Sequence, residues 1–129
     1  MSPEPYYADE LVTLYHGDCL EVLPTIADAA CVVTSPPYNT LGSRVRNPSG
    51  MHRDSGWVAK VGEVGYADDR TEAEYAEWQR SVASALDGAC APGASFFYNH
   101  KVRYREGEPV HPIDLVRGFI GWALRQEIV

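Results

Sequence analysis

Ser35-Pro36-Pro37-Tyr38, which follows the apolar run 30–33, holds the residues best suited to chemistry in this sequence. Two successive prolines fix φ, remove two backbone donors and hold the preceding residue extended. Directly after a strand they make a stiff ledge whose carbonyls accept hydrogen bonds without competing N–H groups. Ser35 adds a hydroxyl, and Tyr38 adds a flat ring with a polar tip. A planar amine fits such a ledge: the hydroxyl and a proline carbonyl accept its two N–H groups while the ring stacks beneath. Stacking a nucleobase on an aromatic side chain contributes about 1–3 kcal/mol. The same residues also fit a plain turn closing a strand, with Tyr38 as a packing residue. A polyproline ligand fits less well, because the prolines abut a core-type strand instead of lying in an exposed Pro-rich tract.

The flanking elements must position this ledge. Residues 11–15 read as a short strand closed by His16-Gly17, with Asp18 as the N-cap of a helical turn that Pro24 stops. Residues 30–34 read as a central parallel strand buried on both faces. Residues 40–70 hold five glycines and no sustained period, which predicts a long loop. Thr71-Glu72-Ala73-Glu74 matches a capping box, and Tyr75, Trp78, Val82 and Leu86 follow on one helical face. Pro92-Gly93 breaks the chain, and residues 95–99 read as a second buried strand. After a polar loop through His111-Pro112, Ile113, Val116 and Ile120 predict a helix over 113–123, and residue 124 begins a further strand.

Strands and helices alternate, so an α/β class with a parallel sheet is expected. In such sheets ligands bind beyond the carboxyl ends of the strands. His16-Gly17-Asp18, Ser35 to Asn39, and Asn99-His100-Lys101 each follow a predicted strand and are expected on one sheet edge.

Composition narrows the class. The chain has 129 residues, 45% hydrophobic and 22% charged, which fits one globular domain and excludes wholesale disorder. A net charge of −7 argues against a generally basic nucleic-acid binder. The charge is uneven, however: Arg44, Arg46, Arg53 and Lys60 face only Asp54 within residues 44–60. A second basic group surrounds Lys101, Arg103 and Arg105. Such loops can meet a phosphate backbone or be ordinary solvated surface. Three widely spaced cysteines with no C-x-x-C pair argue against a disulfide scaffold or zinc ribbon. No apolar run has membrane-spanning length and no signal-peptide pattern stands at the start, so a cytoplasmic location is expected.

Thr34-Ser35-Pro36-Pro37-Tyr38-Asn39 resembles the catalytic motif of amino-group DNA methyltransferases, in which Asp, Asn or Ser precedes Pro-Pro and an aromatic follows. The flanks resemble that family in order and spacing: Tyr15-His16-Gly17-Asp18-Cys19-Leu20, Glu74-Tyr75 with Trp78, the stretch from Pro92 to Lys101, and the stretch from Gly121 to Val129. The order of motifs is similar to that of the permuted group, whose catalytic half comes first. The resemblance implies methyl transfer from S-adenosylmethionine to the exocyclic amine of cytosine (N4) or adenine (N6) in DNA. It implies catalytic roles for Ser35, Pro36, Pro37 and Tyr38, a place near the cofactor's adenine for Asp18, and DNA contacts for Arg44, Arg46 and Arg53. It implies a partial Rossmann-like sheet without the C-terminal cofactor-binding half, because the family's glycine-rich cofactor loop is not found in this sequence. The expectation is therefore a single incomplete catalytic region over 1–129 that works with a complementary polypeptide. The alternative is a remnant that binds DNA without transferring a methyl group.

Overall fold

The computed structural model describes residues 3–40 and 69–128. Strand β1 (Tyr7–Ala8) pairs antiparallel with β2 (Thr13–Leu14). The Asp9 carboxylate closes their turn, accepting from the backbone N–H groups of Leu11 and Val12 at 2.8 and 2.7 Å. Helix α1 (Cys19–Val22) follows, with Asp18 at its N-cap accepting from Leu20 N, and a 3-10 turn at Leu23–Thr25 ends it at Pro24.

Strand β3 (Ala29–Thr34), helix α2 (Glu72–Ala89) and strand β4 (Cys90–Tyr98) form the centre of the structure. β3 and β4 run parallel, in register from Cys31 opposite Ser95 to Thr34 opposite Tyr98. The register shifts between Ala29 and Cys31, where β4 carries extra residues around Pro92 and Gly93. Gly93 takes a φ of 82°, which glycine adopts without steric cost. The expected break at Pro92-Gly93 is therefore an irregularity within a strand that starts as soon as α2 ends.

Helix α2 starts at the expected capping box. The Thr71 hydroxyl accepts from Glu74 N, and the Glu74 carboxylate accepts from Thr71 N at 3.0 Å. Its buried face is Tyr75, Gln79, Ala83, Leu86 and Ala89, packed with Val22, Leu115 and Phe119 in the core. Trp78 and Val82, expected on that face, lie at its margins. Gln79 takes the centre, where its Oε1 accepts the Tyr98 hydroxyl at 2.8 Å, which satisfies the buried amide oxygen.

Strand β5 (Arg103–Arg105) and strand β6 (Glu108–Val110) make a hairpin where the sequence predicts a polar loop. Its turn residues Glu106 and Gly107 both have positive φ, as a two-residue hairpin turn needs. Helix α3 spans only Pro112–Val116, with His111 at its N-cap, and not 113–123. After Val116 the bonds shorten to Gly118 N–Leu115 O and Phe119 N–Val116 O, and the chain turns at Gly121, whose φ is 88° and where a β-carbon would run into the Asp87 carboxylate. That turn lets the Trp122 indole donate to Ala83 O at 2.9 Å. Leu115 and Phe119 are the residues buried here, whereas Ile120 is exposed, and residues 124–128 form no strand.

The chain thus mixes helices and strands around one parallel β3–α2–β4 unit, as an α/β class allows. Two expectations need correction. β2 pairs with β1 and not with β3 or β4, so His16-Gly17-Asp18 does not follow a strand of the same sheet. β3 and β4 are also not buried on both faces. Phe96 and Tyr98 pack inward against Phe119, but Val33 and Phe97 on the opposite face are 79% and 54% exposed.

Candidate functional site

The parallel register brings the ends of β3 and β4 side by side, and Asn99 N extends the ladder by donating to Thr34 O at 2.9 Å. Ser35 and Asn99 therefore leave the sheet as neighbours. The Asn99 amide donates to Ser35 Oγ at 2.6 Å and to Tyr38 Oη at 3.1 Å, and the two hydroxyls are 3.3 Å apart. Ser35 and Asn99 are exposed and Tyr38 is half-buried. Three polar tips thus meet at an open edge, with hydroxyl and amide oxygens on offer to a donor. The Tyr38 ring lies 5.0 Å from that of His100, and Lys101 Nζ is 5.5 Å from its centroid.

The ledge is fixed from below. Tyr75, 1% exposed, has its hydroxyl 2.6 Å from Pro37 O and 2.8 Å from His100 Nε2. His100 Nδ1 lies 2.8 Å from Lys101 O, and its ring stacks on Tyr98 at 5.5 Å. Burial pushes the His100 pKa down, and nearby Arg103 and Lys101 add to this. Burial likewise pushes the Tyr98 hydroxyl well up, so it remains a donor to Gln79.

The chain leaves the ledge through Asn39, which is fully buried at a φ of 56°, a region asparagine tolerates better than most residues. Asn39 Nδ2 donates to Arg70 O at 2.9 Å and to Glu72 Oε1 at 3.2 Å. Glu72 Oε1 also accepts from Arg103 and from Arg105, each at 2.6 Å, and Arg105 donates to Asn39 O. Burial pulls the Glu72 carboxyl upward, but its hydrogen bonds to Arg103 and Arg105 hold it below the usual carboxylate range. Arg103 is buried, with its guanidinium 4.7 Å over the Tyr75 ring. Two of the bases read from sequence as surface charge are therefore internal braces.

Among the sequence-predicted residues, Ser35, Pro36, Pro37 and Tyr38 form one ledge. Asp18 is exposed and caps α1 through Leu20 N at 2.8 Å. Arg44, Arg46 and Arg53, with the expected loop over 40–70, lie outside the described residues except at the loop's ends. Asn99 is the residue that sequence reasoning left without a role. Its signal was its place one residue past a strand that would pair with the strand before Ser35. No cluster of His, Cys, Asp and Glu among the described residues could hold a metal ion. Nor is any described helix long and apolar enough to cross a membrane. No protein-family model matches the chain, and no curated protein matches it in sequence.

Proposed function

We propose that this chain is the catalytic part of a DNA amino-methyltransferase acting on cytosine N4 or adenine N6. One observation carries this reading: Ser35, Tyr38 and Asn99 converge at an exposed edge beyond two parallel strands. A Rossmann-like sheet, with β3–α2–β4 as part of its centre, is the fold this reading entails.

The target base must leave the stack to reach the ledge, at a cost of a few kcal/mol. Ser35 Oγ and the Pro36 carbonyl then accept the two N–H groups of the amine. Pro36 is the acceptor of choice because the Pro37 carbonyl is engaged by Tyr75. Held this way, the amine turns its lone pair out of the base plane, and Tyr38 stacks on the base. The contribution of these residues is positioning. S-adenosylmethionine supplies the methyl group.

The described residues do not by themselves make a cofactor site. Asp18, the one residue assigned to it, has a carboxylate oxygen occupied in capping α1. In this reading a complementary polypeptide holds most of the cofactor. The exposed Val33 and Phe97 face, and the edge of β3 that pairs with no described strand, offer it a surface.

The test is transfer of labelled methyl from S-adenosylmethionine to duplex DNA, with and without the polypeptide encoded next to this chain. Tyr38→Phe should keep most of the activity and Tyr38→Ala should lose on the order of ten- to a hundredfold, matching about 1–3 kcal/mol of stacking. Equal losses in the two variants would remove the stacking role. DNA binding without transfer in every combination would leave a non-enzymatic binding module instead.

A further inference from the structure

The three contacts around Tyr75 and His100 contain a proton-counting problem. Pro37 O and Lys101 O are carbonyls and can only accept. His100 Nδ1, 2.8 Å from Lys101 O, must therefore carry a proton. The Tyr75 hydroxyl has one proton, and both Pro37 O and His100 Nε2 lie at bonding distance from it. With neutral His100, both neighbours are acceptors and one is left facing an oxygen lone pair. With protonated His100, Nε2–H donates to Tyr75 Oη, the Tyr75 hydroxyl donates to Pro37 O, and all three contacts are satisfied.

We infer that Tyr75 and His100 are a positioning pair for the base-binding ledge, in which protonation of His100 commits the Tyr75 hydroxyl to the Pro37 carbonyl. The inference rests on the reading of Ser35 to Tyr38 as that ledge, and it adds how the ledge is held and what regulates it. The groups around His100 set the balance. Arg103 and Lys101 oppose its charge, whereas Glu72 on α2 and the bond to Lys101 O favour it. The rings of Tyr38, Tyr75 and Tyr98 surround that of His100. Burial opposes the charge most, so the pair exchanges on the acid side of an ordinary histidine. As pH falls through that point, the ledge tightens.

The experiment follows the carbonyl carbon of Pro37 and the imidazole of His100 by NMR during a pH titration of the full chain. Pro37 O bonds to the Tyr75 hydroxyl, and Tyr75→Phe separates the relay from the nearby charge. The expected result has neutral His100 as the Nδ1–H tautomer and Pro37 moving with the same midpoint. In Tyr75→Phe the Pro37 movement should vanish and the His100 midpoint should fall, because the cation loses its acceptor. An Nε2–H tautomer, or a Pro37 signal unchanged through the His100 transition, overturns the inference. If Tyr75→Phe does not fold, His100→Gln serves: Pro37 should then cease to titrate, and continued titration overturns the inference equally. In methyl transfer, kcat of the wild-type chain should rise on the order of tenfold as pH falls through the His100 midpoint, and His100→Gln should remove that rise with little change in KM for DNA. Loss of transfer by the wild-type chain sinks the methyltransferase reading but leaves the Pro37 result standing, so the two failures are separable.

Discussion

Asn99 holds two hydroxyls with one amide, and its position outside the strand leaves it exposed. Asp in its place would still accept from the two hydroxyls, whereas Ala removes both donors. Ser35 and Tyr38 would then lose their shared tether and keep only the 3.3 Å contact between their hydroxyls. We expect Asn99→Ala to lower methyl transfer on the order of ten- to a hundredfold while the melting temperature stays near wild type, since substitutions at exposed positions rarely cost more than about 0.5 kcal/mol. Initial rates and a thermal melt on the same preparation check both halves. The Ser-Pro-Pro-Tyr ledge was legible because proline chemistry is local and needs no tertiary contact to be read. Asn99 was not, because its role depends on β3 and β4 being paired in one particular register. Arg103 and Arg105 were misread for the same reason: a charge run looks solvated until a carboxylate such as Glu72 is found beneath it.

At the scale of elements, α2 carries two separable devices. Its capping box is a local feature, readable from four residues, and Thr71→Ala should cost about 1 kcal/mol, lowering the melting temperature by roughly 4 °C. The second device is Glu72, which joins α2 to β5 through Arg103 and Arg105. Because its carboxyl titrates below the unfolded value, its stabilisation is present above the usual carboxylate range and is lost as pH falls through the folded value. Glu72→Gln should therefore destabilise the chain by about 2 kcal/mol at neutral pH and much less in acid. That figure is lower than the ~3–5 kcal/mol of a fully buried pair because Glu72 is partly solvated. Chemical denaturation at two pH values measures the difference. Start signals such as Thr71 and Asp18 were legible, but endings were less so. The helix read over 113–123 ends at Val116, and the chain later turns at Gly121 to seat Trp122 on α2. The hairpin of β5 and β6 was missed because Glu106 is an unusual residue at a positive φ.

For the molecule as a whole, the contact between Asn39 and Arg70 ties together two points far apart in sequence. The ledge precedes the first point and α2 follows the second, so both ends of the intervening stretch are already anchored by Glu72, Arg103 and Arg105. Replacing Arg44, Arg46 and Arg53 with Ala should make DNA affinity less sensitive to salt, which binding isotherms at several ionic strengths check. A clasp of this kind yokes three distant stretches of the sequence: Arg105→Ala should slacken Asn39 and α2 together, so a fault in the β5–β6 hairpin is felt at the ledge.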